Sequence, residues 1–279
     1  MLTKLLWVFI ALPLLVYSAA IAALYFFQES LIFRGDKLPA DHTFAFDLPF
    51  EEVTIPVDGA ELNALHFQQA DPKGVIFFLH GNAGNLVDWT IGVDYYQRIN
   101  YDLFIFDYRG YGKSTGKISS QEQLMDDVRS AWDYMKTYYA NSSQIDIPMI
   151  IYGRSLGTAL AAQLAQEKTS SQSPEKKPEL VVLVSPFTSM VDLAQTQYPI
   201  APSSLLRYPF ETEKIIDDIN TEIVFMHGSE DNFIPISHSQ ALQTRVSKPT
   251  QLLTIEGAGH GDIHNFKTYL DGLASVLPE

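Results

Sequence analysis

Not one of the 279 residues is a cysteine. That absence excludes disulfides, thiolate zinc sites and a cysteine nucleophile, so any covalent chemistry must use oxygen or nitrogen. It does not assign a compartment. Positive charge is also scarce: 19 Lys and Arg stand against 33 Asp and Glu, a formal net charge of −14. The basic residues are scattered and form no stripe, and an acidic surface repels phosphate backbones, so nucleic acid is excluded as a partner. Internal repeats are missing as well. What is plentiful is apolar: hydrophobic residues make up 46% of the chain, enough to bury one large core after a terminal segment is set aside.

That terminal segment is the stretch Leu5 to Phe27, which carries no charge. As a helix rising about 1.5 Å per residue it slightly exceeds a bilayer core of about 30 Å. Trp7 and the cluster Tyr25, Phe26, Phe27 put aromatic rings near both ends, where amphipathic rings favour the interface. A cleaved signal peptide is the alternative, because Lys4 precedes the apolar run and Ala20-Ile21-Ala22 makes a cleavage-like site. Apolar residues continue past that site, so residues 1–30 are read as a retained single-pass anchor. Lys4 lies on the short flank, whereas Glu29, Arg34, Asp36 and Lys37 nearly cancel on the other. This asymmetry favours a cytoplasmic N-terminus and a folded domain on the non-cytoplasmic side of the membrane.

Beyond a connecting segment from Gln28 to Phe50, Glu52 to Phe67 alternates apolar and polar around Asp58-Gly59, the signature of a hairpin at a sheet edge. The pattern then changes to short unbroken apolar runs: Val75 to Leu79, Leu103 to Phe106, Met149 to Tyr152, Leu180 to Val184, Ile223 to Met226 and Leu252 to Ile255. Such runs suit strands covered on both faces, as in a parallel sheet. Between them lie helical stretches. In the clearest, Ser119 to Tyr139, the residues Leu124, Val128, Trp132, Met135 and Tyr139 form one stripe, and Ser119 with Glu122 can form a capping box. Residues 50–277 are therefore expected to form one α/β domain, a mostly parallel sheet with helices on both faces. The polar patch Thr169 to Lys177 reads as a solvated loop. The stretch 188–220, rich in Pro and aromatics, is either a short lid or an ordered loop packed by its own side chains.

Gly153-Arg154-Ser155-Leu156-Gly157 matches G-x-S-x-G. The motif alone is weak, but a buried-strand candidate precedes it and a small-residue helical run, Thr158 to Ala165, follows it. That is the strand, sharp turn and helix of a nucleophile elbow, where side chains at the flanking glycines would clash with the tight backbone. A serine hydroxyl needs a base. Of seven histidines, His260 stands in a glycine-rich loop just past the last strand run. His42 precedes the sheet and His66 lies in the hairpin, so both are poorly placed, while His80 and His227 each follow a strand and precede glycine and read as loop-organising residues. The base in turn needs a carboxylate, and Asp231 follows the run Ile223 to Met226, with Glu230 as its competitor. Ser155, Asp231 and His260 each follow a predicted strand, in the order nucleophile, acid, base.

With these residues in view, the sequence resembles the alpha/beta-hydrolase superfamily over nearly all of Phe50 to Leu277. Within it, the chain is similar to the membrane-anchored group related to serine aminopeptidases and to the alpha/beta-hydrolase-domain protein depalmitoylases. The residues that carry the likeness are His80-Gly81-Asn82-Ala83-Gly84-Asn85, Phe106-Asp107-Tyr108-Arg109-Gly110-Tyr111-Gly112, the Ser155 elbow, Ser185-Pro186-Phe187, and His227-Gly228 through Asp231 to Pro235. The resemblance implies that backbone N–H groups near Asn82 and at Leu156 form the oxyanion hole, and it supports Asp231 over Glu230.

Two decoys fail. Gly112-Lys113-Ser114 has Asp107 where a phosphate-binding loop needs glycine, and His260 with His264 lacks the rest of a zinc-binding H-E-x-x-H. No cofactor and no metal are expected. The expected activity is hydrolysis of an acyl ester or thioester on a small-molecule or lipid-like substrate. A serine aminopeptidase, which would hold the substrate's amine through Glu211, Glu213 or Asp192, is one rival reading. A non-catalytic membrane-tethered binding protein of the same fold is the other. The sequence carries no marker of oligomeric state.

Overall fold

In the computed structural model, residues 2–142, 146–170 and 176–278 are described, with the side chains of residues 2–8 and 197 outside that set. The rings and charges assigned above to Trp7 and Lys4 therefore lie outside the described residues, as does most of the polar stretch 169–177. The chain begins with helix α1, Leu2–Ile32. Its part Phe9–Ile32 is long and apolar enough to cross a membrane. The helix thus runs five residues beyond Phe27 into the segment expected to be a connection. Those last residues gain partners in the folded domain: the Gln28 side chain bonds backbone groups of Leu205 and Arg207, and Tyr208 donates to Glu29.

Eight strands form one sheet: β1 (Phe50–Val57), β2 (Ala60–Phe67), β3 (Val75–Leu79), β4 (Asp102–Phe106), β5 (Met149–Arg154), β6 (Leu180–Val184), β7 (Glu222–Gly228) and β8 (Thr250–Ile255). The spatial order is β8-β7-β6-β5-β3-β4-β2-β1. The hairpin β1–β2 is antiparallel and sits at the edge; β2 also pairs antiparallel with β4, and β3 to β8 are mutually parallel. Gly59 closes the hairpin at φ +70°, a left-handed conformation that a Cβ would strain. Each predicted strand is present, some longer by one to three residues because the ends continue the ladder.

Alternation along the strands feeds two cores. Val75, Phe77 and Leu79 with Met149 and Ile151 face helices α2 (Gln121–Ala140) and α3 (Leu156–Thr169). Ile76, Phe78, Ile150 and Tyr152 face the other side, where Tyr269 and Leu273 of the C-terminal helix Lys267–Val276 pack. All five predicted stripe residues of α2 are buried. Its cap differs from expectation: Ser120 accepts from the Gln123 amide, while Gln123 Oε1 accepts from both the amide and the hydroxyl of Ser119. With Ser120 as N-cap, it is Gln123 that occupies the third helical position, so Glu122 has no boxed partner.

The loop after β4 is tied to α2 by a buried fork. Arg109 Nε and Nη2 donate to the two oxygens of Asp127 at 2.5 and 2.8 Å, both side chains almost wholly out of solvent. Removing one member leaves a buried charge without its counterion. Asp127→Ala is expected to lower unfolding free energy by about 3 kcal/mol, read from denaturant midpoints of the detergent-solubilised protein.

Candidate active site

The turn from β5 into α3 sets the geometry. Ser155 has φ +53°, a left-handed conformation rare for a non-glycine residue. What forces it is the close approach on either side. A Cβ at Gly153 would stand 2.4 Å from the Gly157 carbonyl oxygen, and one at Gly157 would stand 2.0 Å from the Leu79 carbonyl oxygen. Only glycine permits α3 to lie this near β3 and β5. The Ser155 amide donates to the Val184 carbonyl of β6 at 2.9 Å, so the turn is pinned to the next strand.

Three strand ends converge there. Ser155 Oγ lies 3.0 Å from His260 Nε2, and His260 Nδ1 lies 2.7 Å from Asp231 Oδ2. The structure thus brings together the serine, imidazole and carboxylate named from the sequence, and it turns Asp231, not the exposed Glu230, toward the ring. Asp231 is buried, with its Oδ1 accepting from the amides of Phe233 and Ile234. Burial alone would raise its pKa; hydrogen bonding from His227 and His260, the His260 charge and the Ile234 amide outweigh it and hold the carboxyl well below the usual range. The carboxylate therefore stays ionised through the neutral range.

His80 and His227 are fully buried and organise loops. His227 bonds the Ser239 hydroxyl at 2.6 Å and donates to the Ile234 carbonyl at 2.8 Å, closing the loop that carries Asp231. His80 Nδ1 donates to the Gly81 carbonyl, and Tyr108 donates to the carbonyl of His80. Asn82 and Leu156, the two positions assigned backbone oxyanion donors, line the same cavity as Ser155. Leu156 is the first residue of α3, where amides have no partner within the helix and the dipole is positive. The Asn82 loop is braced by Tyr111, which donates to the Asn82 carbonyl at 2.8 Å, and by Trp89, which donates to Ala83.

Two contributors escaped the sequence reading. Arg154 occupies the variable position of the elbow motif, yet its guanidinium donates to the carbonyls of His260 and Gly261 at 3.2 and 3.4 Å, meets His264 Nδ1, and stacks over Trp89. It ties the histidine loop to the elbow. His264, of the zinc-like spacing, is thus engaged with Arg154, and Lys113, of the phosphate-loop-like motif, pairs with Glu52. The other contributor is α1. Its residues Leu24, Gln28 and Leu31 line a cavity of about 520 Å³ together with Ser155, Phe187, Met190 and Leu206. The stretch 188–220 roofs that cavity through helix α4 (Met190–Gln197) and the 3-10 turn Ser203–Leu205.

Beneath the Asn82 loop, Asp107 is fully buried 3.7 Å from His80 Nε2, and a Cβ at Gly112 would meet its carboxyl at 1.9 Å. Burial pushes the Asp107 carboxyl up to about 8, against a partial downward pull by the Leu86 amide. The folded state then holds a proton that the unfolded chain has lost, so this carboxyl's contribution to stability falls as pH rises from about 4 to about 8. Asp107→Asn is expected to flatten that slope by up to about 1 kcal/mol per pH unit, measured by denaturant unfolding across this window.

Comparison with known proteins bears on the family and the fold. The serine aminopeptidase S33 family (Hydrolase_4) matches residues 70–204. Alpha/beta hydrolase domain-containing protein 17B of Xenopus laevis is 35% identical over 213 residues, covering 74% of this chain and 67% of the relative; the human 17B protein is 34% identical over the same length. Among solved structures, an esterase of Pyrococcus furiosus superposes with a TM-score of 0.67 at 15% identity, covering 88% of this chain and 96% of its own. A soluble variant of monoglyceride lipase from Saccharomyces cerevisiae, in complex with a substrate analogue, gives 0.62 at 14% identity over 85% and 97%. With its sheet order, its elbow and these relatives, the chain belongs to the alpha/beta-hydrolase family.

Proposed function

We propose that this chain is a membrane-anchored serine hydrolase that cleaves acyl ester or thioester bonds through an acyl-enzyme on Ser155. The observation that carries the reading is the unbroken hydrogen-bonded line from Ser155 Oγ through His260 to Asp231 at the floor of a largely apolar cavity. In the forward step Oγ bonds to the acyl carbonyl carbon while His260 Nε2 takes its proton. Negative charge developing on the carbonyl oxygen faces the amides of Asn82 and Leu156. The carbon–oxygen or carbon–sulfur bond then breaks, and the proton on Nε2 passes to the leaving atom. Water attacks the acyl group next, its proton moving to Nε2 and then to Oγ as the free acid departs. Asp231 holds Nδ1 protonated and stabilises the imidazolium throughout.

Ester or thioester cleavage is favoured over aminopeptidase action by the lining of the cavity. Among the described residues that line it there is no carboxylate to hold a substrate amine. Glu211 pairs with Lys214, Glu213 pairs with Arg245, and Asp192 accepts from Thr188. The charge asymmetry around α1 supports a domain on the non-cytoplasmic side. We expect a fluorophosphonate probe to label wild-type protein at Ser155. Ser155→Ala and His260→Ala should each lower kcat for p-nitrophenyl esters by about ten-thousandfold. A folded wild-type protein that neither labels nor hydrolyses would make the chain a binding protein of the same fold.

A further inference from the structure

Helix α1 does more than end at the domain. Gln28, only 5% exposed, donates from Nε2 to the Leu205 carbonyl at 3.2 Å and accepts from the Arg207 amide at 2.8 Å. Glu29 pairs with Arg207 and accepts from Tyr208. One turn on, the Ile32 carbonyl accepts from Asn82 Nδ2, and the Arg34 amide donates to the Asn82 carbonyl. Further back, Tyr17 donates to the Ile200 carbonyl at 3.0 Å. From Tyr17 to Gln28 the helix rises about 16 Å, so the segment 198–207 runs along α1 for about half the thickness of a bilayer core.

Between the two lies the cavity. Leu24, Gln28 and Leu31, spaced to share one helix face, form one wall; Leu205, Leu206 and Met190 stand across from them, and Ser155 lies at the floor. The surroundings of this wall are apolar on both sides. On the opposite face of α1, Phe26 is 71% exposed, and at the tip of the roof Ile200 is 75% exposed. Side chains so placed are costly in water and favourable in lipid. If α1 crosses a bilayer, the roof tip that touches Tyr17 must be immersed with it.

We infer that α1 is a wall of the acyl-binding site, and that the acyl chain enters sideways from the lipid between α1 and the roof segment 198–206. The inference rests on the hydrolase reading and narrows its substrate: a long-chain acyl ester or thioester resident in the membrane, whose chain lies along Leu24 and Leu31 while its carbonyl reaches Ser155. The helix then serves as both tether and part of the specificity surface, and a chain cleaved after Ala22 would keep the wall residues but lose the lipid-spanning register that aligns them.

Because the chain has no cysteine, a single introduced thiol reports on one position. Full-length Leu24→Cys, Leu31→Cys and Phe26→Cys proteins in proteoliposomes would be assayed with p-nitrophenyl butyrate and p-nitrophenyl palmitate before and after reaction with a bulky maleimide. Each variant serves as its own folded reference. Modification at positions 24 and 31 is expected to lower the palmitate-to-butyrate ratio of kcat/KM about tenfold or more, and modification at position 26, on the outer face, to leave it unchanged. In addition, a long-chain fluorophosphonate bound at Ser155 should shield positions 24 and 31 from the maleimide. An unaltered ratio at both wall positions, with Ser155 still labelled by a short fluorophosphonate, overturns the inference alone. Loss of labelling in the wild-type protein overturns the hydrolase reading and the inference with it.

Discussion

Everything at this site depends on how closely α3 lies against the strands before it. At Gly157 the backbone passes so near the Leu79 carbonyl that a single added carbon would stand 2.0 Å from its oxygen. This contact drives the turn at Ser155 into a left-handed conformation, and the conformation lifts the hydroxyl out of the sheet. The local strain persists because it is over-determined by the buried strands around it, with the Ser155 amide fastened to β6. The same approach sets the first amides of α3 beside the hydroxyl, which links the packing of a helix to the electrostatics of a reacting carbonyl.

Around that fixed point, the loops at the strand ends are held by buried or half-buried polar side chains bonded to backbone. His227 closes the Asp231 loop, Tyr108 and Tyr111 brace the Asn82 loop, and Arg154 fastens the His260 loop back to the elbow. Each is a side chain bonded to a main-chain carbonyl, the economical way to order a loop that has no ladder of its own. The ring of His260 therefore sits between two restrained neighbours, with the Phe233 ring tilted against it at a centroid distance of 4.9 Å.

The anchor and the roof form the second organising feature. In isolation α1 would be an apolar rod whose rotation about its axis is unconstrained. Gln28 and Glu29, the first polar residues after the apolar run, set that rotation by bonding to residues 205–208. Their polarity, which reads in sequence as the end of an anchor, is also what directs Leu24 and Leu31 toward the cavity. The stretch 188–220 is ordered partly by its own aromatics and partly by this helix and the residue that follows it, Phe33, which meets Tyr208 edge-on.

The parallel sheet is legible in the residue pattern alone, because unbroken apolar runs such as Val75 to Leu79 can be stable only when both faces are covered. The pattern also determined the hairpin turn at Gly59 and the elbow, since glycines at 153 and 157 leave few other backbones available. The order of serine, aspartate and histidine at three strand ends was legible for the same reason: each follows a strand whose period and length can be read locally. Features that depend on residues far apart in the chain emerge only in the folded molecule. The residue pattern alone left Asp231 and Glu230 open and only the family likeness favoured the aspartate; in the fold Asp231 faces inward and Glu230 outward. The role of Arg154 rests on a loop more than a hundred residues away. The entry of α1 into the cavity wall rests on two hydrogen-bonding residues, Gln28 and Glu29, whose partners lie on the opposite half of the chain. Periodicity reports only whether a face is buried; it carries no information about what covers it.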